Sequence, residues 1–155
     1  MSEYQWFLLG HLIAAFAFVS GAVLAGVLQW AAFHRDRPSE IVILLRLIRP
    51  AVLVITVAAF ATLGFGLALA HHLGATGALW VRSAVVLWIV SVIFGGTGGG
   101  RQRQARYLAQ ALATRGDAPS AELKRALRDP ISLALNSVSF AAPLAILVVM
   151  VWQPK

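Results

Sequence analysis

The sequence predicts an all-α fold, a bundle of four transmembrane helices, and three observations predict it. Of its 155 residues 59% are apolar and only 12% are charged, against roughly 25% charged in an ordinary soluble domain. No Asp, Glu, Lys or Arg lies between Glu3 and Arg35, Arg49 and Arg82, Arg82 and Arg101, or Asp129 and Lys155. Each gap is of the order of the ~20 residues that a helix needs to cross a bilayer. Of the thirteen Lys and Arg residues, all but Arg82 and Lys155 fall in two of the connections. Inside hydrocarbon only helices and closed barrels satisfy their backbone groups. These runs are continuously apolar rather than alternating, which selects helices.

Taken in order, the first span covers residues 6–33. The preceding MSEYQ has no basic n-region and the apolar run outlasts a signal-peptide core, so this span is expected to stay in the mature protein. The second span covers 51–70, after a loop at 34–50 that carries Arg35, Arg37, Arg46 and Arg49. The connection 71–79 has no Lys or Arg. The third span covers 80–96. The GGTGGG run at 95–100 lacks the Lys-Ser/Thr of a phosphate loop and follows no strand, so it reads as a flexible exit from that span.

A second basic loop at 100–130 carries Arg101, Arg103, Arg106, Arg115, Lys124, Arg125 and Arg128. Within it Ala105, Leu108 and Leu112 share a stripe, which predicts a basic amphipathic helix that extends span three and is capped by Gly116. Asp117 and Pro119 read as the start of a further helix over 121–128, lying at the membrane surface and broken by Pro130. The fourth span covers 131–152, with a kink at Pro143. One transmembrane domain over 1–155 results.

With both basic loops on one side, the positive-inside rule places them in the cytoplasm and both termini outside, as in a multi-pass protein of a bacterial inner membrane. The net charge of +7 is explained by these loops and points to no nucleic acid. The chain has no cysteine, which excludes disulfides, thiolate metal sites and cysteine nucleophiles. No span contains Asp or Glu, so a carboxylate proton relay has no residue to use inside the bilayer.

His11 stands out as an ionisable side chain within a span. Its helical face runs through Ala14, Ala15, Phe18, Gly21, Ala22, Ala25 and Gln29, small residues that admit a neighbouring helix or a flat ring. His71 and His72 lie at the outer end of span two and Arg82 at the outer start of span three. Two imidazoles from different helices can ligate one haem iron, and an arginine at the aqueous edge suits a haem propionate. Against this stand plainer roles: helix packing for His11, helix termination for His71 and His72, and interfacial anchoring beside Trp80 for Arg82. Thr56, Thr62, Asn136, Ser137 and Ser139 read as interhelical hydrogen-bonding groups.

The segment YQWFLLGHL at 4–12, followed by Ser20-Gly21, resembles the start of small four-helix membrane proteins of the HemJ-like protoporphyrinogen oxidase and CopD-like group, including an uncharacterised family of predicted integral membrane proteins. Arg49-Pro50-Ala51, GFGLAL at 64–69, LWVR at 79–82 and the Pro154-Lys155 ending extend the likeness along the chain. In HemJ-like proteins the first-helix histidine and a lysine heading span three are associated with haem b and activity. The resemblance therefore implies a ligand role for His11. Arg82 stands where that lysine falls, and FAFVSGAVL at 16–24 replaces the usual Trp-x-x-Gly-x-x-Tyr segment. Arginine keeps its proton and offers a rigid fork rather than a compact ammonium, so the uncharacterised relatives fit better than the oxidase.

The leading expectation is a haem b protein of electron transfer or porphyrin redox chemistry, with His11 and His71 or His72 on the iron. The alternative is a non-enzymatic accessory or assembly subunit, in a homo-oligomer or larger membrane complex, presenting its basic loop to anionic lipids or a partner. A copper transporter using the same histidines ranks last, for want of methionine-rich or cysteine ligands.

Overall fold

The computed structural model describes residues 2–153, and its regular structure is entirely helical: α1 (Glu3–Phe33), α2 (Pro38–His72), α3 (Leu79–Thr114), α4 (Ala121–Leu127) and α5 (Pro130–Trp152). The Pro154-Lys155 ending lies outside the described residues. Four helices are long and apolar enough to cross a membrane, the last counted with α4 and α5 together.

Local chemistry sets the ends. At the start of α1, Ser2 Oγ accepts from the Gln5 amide at 3.3 Å and Gln5 Oε1 accepts from the Ser2 amide at 2.9 Å, a capping box. α2 stops at Gly74, whose φ of +63° lets its amide reach the His71 carbonyl (3.0 Å) and that of Ala75 reach the Ala70 carbonyl (2.8 Å). Asp129 caps α5 by accepting from the Ser132 amide at 3.0 Å, with Pro130 in the first turn.

Three sequence expectations change. The loop at 34–50 shrinks to 34–37, because α2 begins at Pro38 and runs through Pro50. Its first turns are held by an apolar stripe of Ile41, Val42, Leu45 and Ile48, all buried. The GGTGGG run is helical rather than a flexible exit, since α3 continues unbroken to Thr114. Finally, Ser120, not Asp117, caps α4 by accepting from the Leu123 amide at 3.3 Å.

α2 and α3 contain 35 and 36 residues, roughly 50 Å at about 1.5 Å per residue, so both overhang a hydrocarbon layer of about 30 Å. They overhang at the same end, where the arginines collect. There Ala32, Ile41, Leu45, Ile48, Ala105, Ala109, Leu123 and Leu127 form the buried core, closed by α4. Ile41 and Leu123 are each 1% exposed, and full burial of such a side chain from water stabilises by about 1.5–3 kcal/mol.

In the apolar half the helices pair as α1 with α2, α3 with α5 and α2 with α3. Small residues let them approach. A Cβ on Gly21 would lie 2.9 Å from Ile55 Cγ1, and one on Gly95 would lie 2.8 Å from Ser139 Oγ. A Cβ on Gly98 would collide with the Asn136 side chain. Across the same α3–α5 contact, Ser91 and Ser139 exchange hydroxyl-to-carbonyl hydrogen bonds, each 3.0 Å. α1 meets α5 near Gly26, where the Phe140 ring lies 3.6 Å from the position of an added Cβ.

Candidate functional site

Toward the end of the bundle away from the core that α4 closes, all four long helices line one cavity of about 370 Å³. α1 contributes His11, Ala15 and Phe18; α2 contributes Ala59, Thr62 and Gly66; α3 contributes Trp80, Ala84 and Trp88; α5 contributes Pro143, Leu147 and Met150. Its wall is almost wholly apolar, as expected of a ligand pocket with a few polar groups to fix orientation.

His11 is the ionisable residue on that wall. It is half-buried, and its Nδ1 lies 3.0 Å from the Thr62 carbonyl oxygen. A carbonyl only accepts, so in the neutral ring Nδ1 carries the proton and Nε2 carries the lone pair. Gly66 makes room for the imidazole, since an added Cβ would sit 3.1 Å from Cε1 and 3.3 Å from Nδ1. The Thr62 hydroxyl turns back to the Ala58 carbonyl at 2.7 Å. A histidine anchored through one nitrogen to a backbone carbonyl and presenting the other is the arrangement by which imidazole ligands are oriented toward metals.

The indole of Trp88 is fixed as well. Its Nε1 donates to the Ala59 carbonyl at 2.9 Å, and its ring meets Phe60 edge-on at 5.1 Å and 74°. Both groups anchor to α2, so the same helix positions the pocket's histidine and one of its two tryptophans.

The other predicted residues lie elsewhere. His72 is at the end of α2, its Nε2 3.8 Å from Glu3 Oε2 and its ring 5.3 Å from that of Phe7. His71 is exposed. Neither lines the cavity. His72 lies six residues beyond Gly66, about 9 Å further along the helix axis at 1.5 Å per residue, so the structure does not bring it to the level of His11. Arg82 is exposed, while its neighbours Trp80 and Val81 line the pocket. Among the described residues no three His, Cys, Asp or Glu side chains gather to hold a metal ion.

Sequence reasoning missed Met150, a thioether on the α5 wall. Its signal is helical spacing: Pro143, Leu147 and Met150 recur at i, i+4 and i+7. Chemically, the cavity offers one imidazole, one soft sulfur and aromatic walls. Comparison of the chain with family models, with curated proteins and with solved structures found no match.

Proposed function

We propose that this chain is a four-span protein of a bacterial inner membrane, with both termini outside, that holds a b-type haem in the pocket for electron transfer or porphyrin redox chemistry. The observation that carries this reading is the His11 imidazole, tied through Nδ1 to the Thr62 carbonyl at 3.0 Å on an otherwise apolar wall. Such a ring offers Nε2 to iron in one tautomer and one orientation.

Of the remaining candidates Met150, rather than His71 or His72, would join His11 in holding the haem iron, because it lines the same cavity and they do not. A thioether paired with an imidazole favours the ferrous state and raises the potential. Arg82, exposed beside the pocket residues Trp80 and Val81, would hold a propionate, its guanidinium matching a carboxylate with two donors. When bound, haem supplies one-electron chemistry. The chain's own groups orient it, exclude water and tune its potential. The orientation rests on the basic overhang of α2, α3 and α4, which the positive-inside rule assigns to the cytoplasm.

The test is the visible spectrum of detergent-purified protein, oxidised and dithionite-reduced, from cells supplied with haem. Wild type shows a Soret band with sharp α and β bands on reduction, and His11→Ala loses them. Met150→Leu retains the Soret band with a lowered potential, and His71→Ala with His72→Ala leaves the spectrum unchanged. A colourless wild type overturns the proposal.

A further inference from the structure

A second cavity, of about 510 Å³, opens between α2 and α3 where the apolar halves of these helices give way to their basic ends. Its polar lining is Arg49, Thr56, Gln102, Arg103, Arg106 and Tyr107, and no Asp or Glu lines it. The acids nearest in sequence are committed elsewhere: Glu40 to Arg35 at 3.7 Å, Asp36 to Lys124, and Asp117 to Ser39. None of the three cleft arginines has a carboxylate partner among the described residues. Arg106 lies over the Tyr107 ring, 5.4 Å from its centroid, and three guanidinium groups without a carboxylate around one cleft attract a multiply acceptor-bearing anion, their forked donors fitting phosphate oxygens in pairs.

The glycine run supplies an independent observation. Gly95 and Gly98 are packed against α5, but an added Cβ on Gly96 or Gly99 would meet nothing within 4 Å. Gly96 and Gly99 line the cleft. Glycine within a helix costs about 1 kcal/mol relative to alanine, and at these two positions no packing inside the chain offsets it. Their effect is to keep the cleft wide beside the arginines. At the same cleft Leu45, Ile48 and Val52 give an apolar wall, so a ligand with an anionic head and an apolar body finds both halves of its chemistry.

We infer that this cleft binds a phosphate group, that of an anionic phospholipid headgroup or of free phosphate. The inference is independent of the haem reading, because the two cavities share no lining residue.

The experiment compares melting of the detergent-purified protein with added phosphatidylglycerol, phosphatidylcholine or inorganic phosphate, and native mass spectrometry counts the lipid retained. The cleft pair Arg103→Gln with Arg106→Gln is set against Arg115→Gln with Arg125→Gln, which removes the same charge from exposed positions outside the cleft. Gly96→Leu with Gly99→Leu fills the cleft without altering charge, and Gly96→Ala with Gly99→Ala checks that the helix tolerates substitution. A headgroup site gives stabilisation and retention with phosphatidylglycerol, weakened at least about tenfold by the cleft and filling variants, as expected for lost charge-assisted bonds, and spared by the control pair. Stabilisation by inorganic phosphate with the same variant pattern, and no lipid preference, supports the site and identifies free phosphate as its ligand. Equal weakening by both arginine pairs, or no response to any phosphate-bearing probe beyond that to phosphatidylcholine, overturns the inference.

Discussion

Asp117 lies just beyond the end of α3, yet its carboxylate closes the start of α2, accepting from the Ser39 amide at 2.7 Å and the Ser39 hydroxyl at 2.6 Å. The N-cap position of α2, Arg37, has no side-chain hydrogen bond of its own, so Asp117 satisfies an amide that the helix would otherwise leave orphaned. The Ser39 hydroxyl, then its amide, then the charge of Arg37 hold the Asp117 carboxyl below its ordinary value of 3.8. A folded-state value lower than the unfolded one stabilises the protein above pH 3.8, and that contribution is lost as pH falls through the lowered value. Asp117→Asn should therefore melt below wild type at pH 7, with the gap closing under acid conditions; thermal melts across that range check it, and a constant gap would sink the account. This cap could not be read from the chain because its partners are 78 residues apart; the hint was an uncapped Arg37-Pro38 start. His11 was legible for the opposite reason, since an ionisable group in an apolar run is conspicuous without any partner. Met150 was not singled out, because its one signal, the helical spacing with Pro143 and Leu147, marks a face of an apolar helix without saying what that face meets.

At the scale of elements, Pro50 and the glycine run misled in the same way. Local propensity reads Pro50 and the GGTGGG stretch as breaks, and tertiary contacts override it. Gly95 and Gly98 are helical because α5 presses Ser139 and Asn136 against them, a contact absent from any short window of sequence. Pro143 shows how a break is tolerated in hydrocarbon. It has no amide to give the carbonyl four residues back, that of Ser139, and Ser91 Oγ donates to that carbonyl instead at 3.0 Å. Ser91→Ala should destabilise by about 1 kcal/mol, in the upper part of the range measured for interhelical hydrogen bonds in bilayers. In a Pro143→Ala background the helix regains its own donor, so the same substitution should cost clearly less. Unfolding of the four variants of this cycle in mixed micelles measures the difference, and equal costs in both backgrounds would show that the hydroxyl does not serve the freed carbonyl.

For the whole molecule, the gaps between charges were enough to read an all-helical chain with four apolar spans, because hydrocarbon leaves so few backbone solutions. Which helices pair was not legible: α1 with α2 and α3 with α5 follow from small residues meeting specific partners, and many small residues compete for that role. The structure adds that the basic ends of α2, α3 and α4 meet around one apolar core, so in a bilayer crossed by these helices they would lie on one side. If that side is the cytoplasm, the connection 73–78 faces outward. The chain's lack of cysteine makes this directly measurable. Gly77 and Ala118 are both exposed, and a Cβ on Gly77 would meet nothing within 4 Å, so single cysteines there leave the packing alone. A membrane-impermeant maleimide applied to intact spheroplasts should label Gly77→Cys at once and Ala118→Cys only after permeabilisation. The reverse pattern would invert the bundle, placing the phosphate cleft on the outer side and the histidine pocket toward the cytoplasm, where a haem would exchange electrons with soluble rather than external partners.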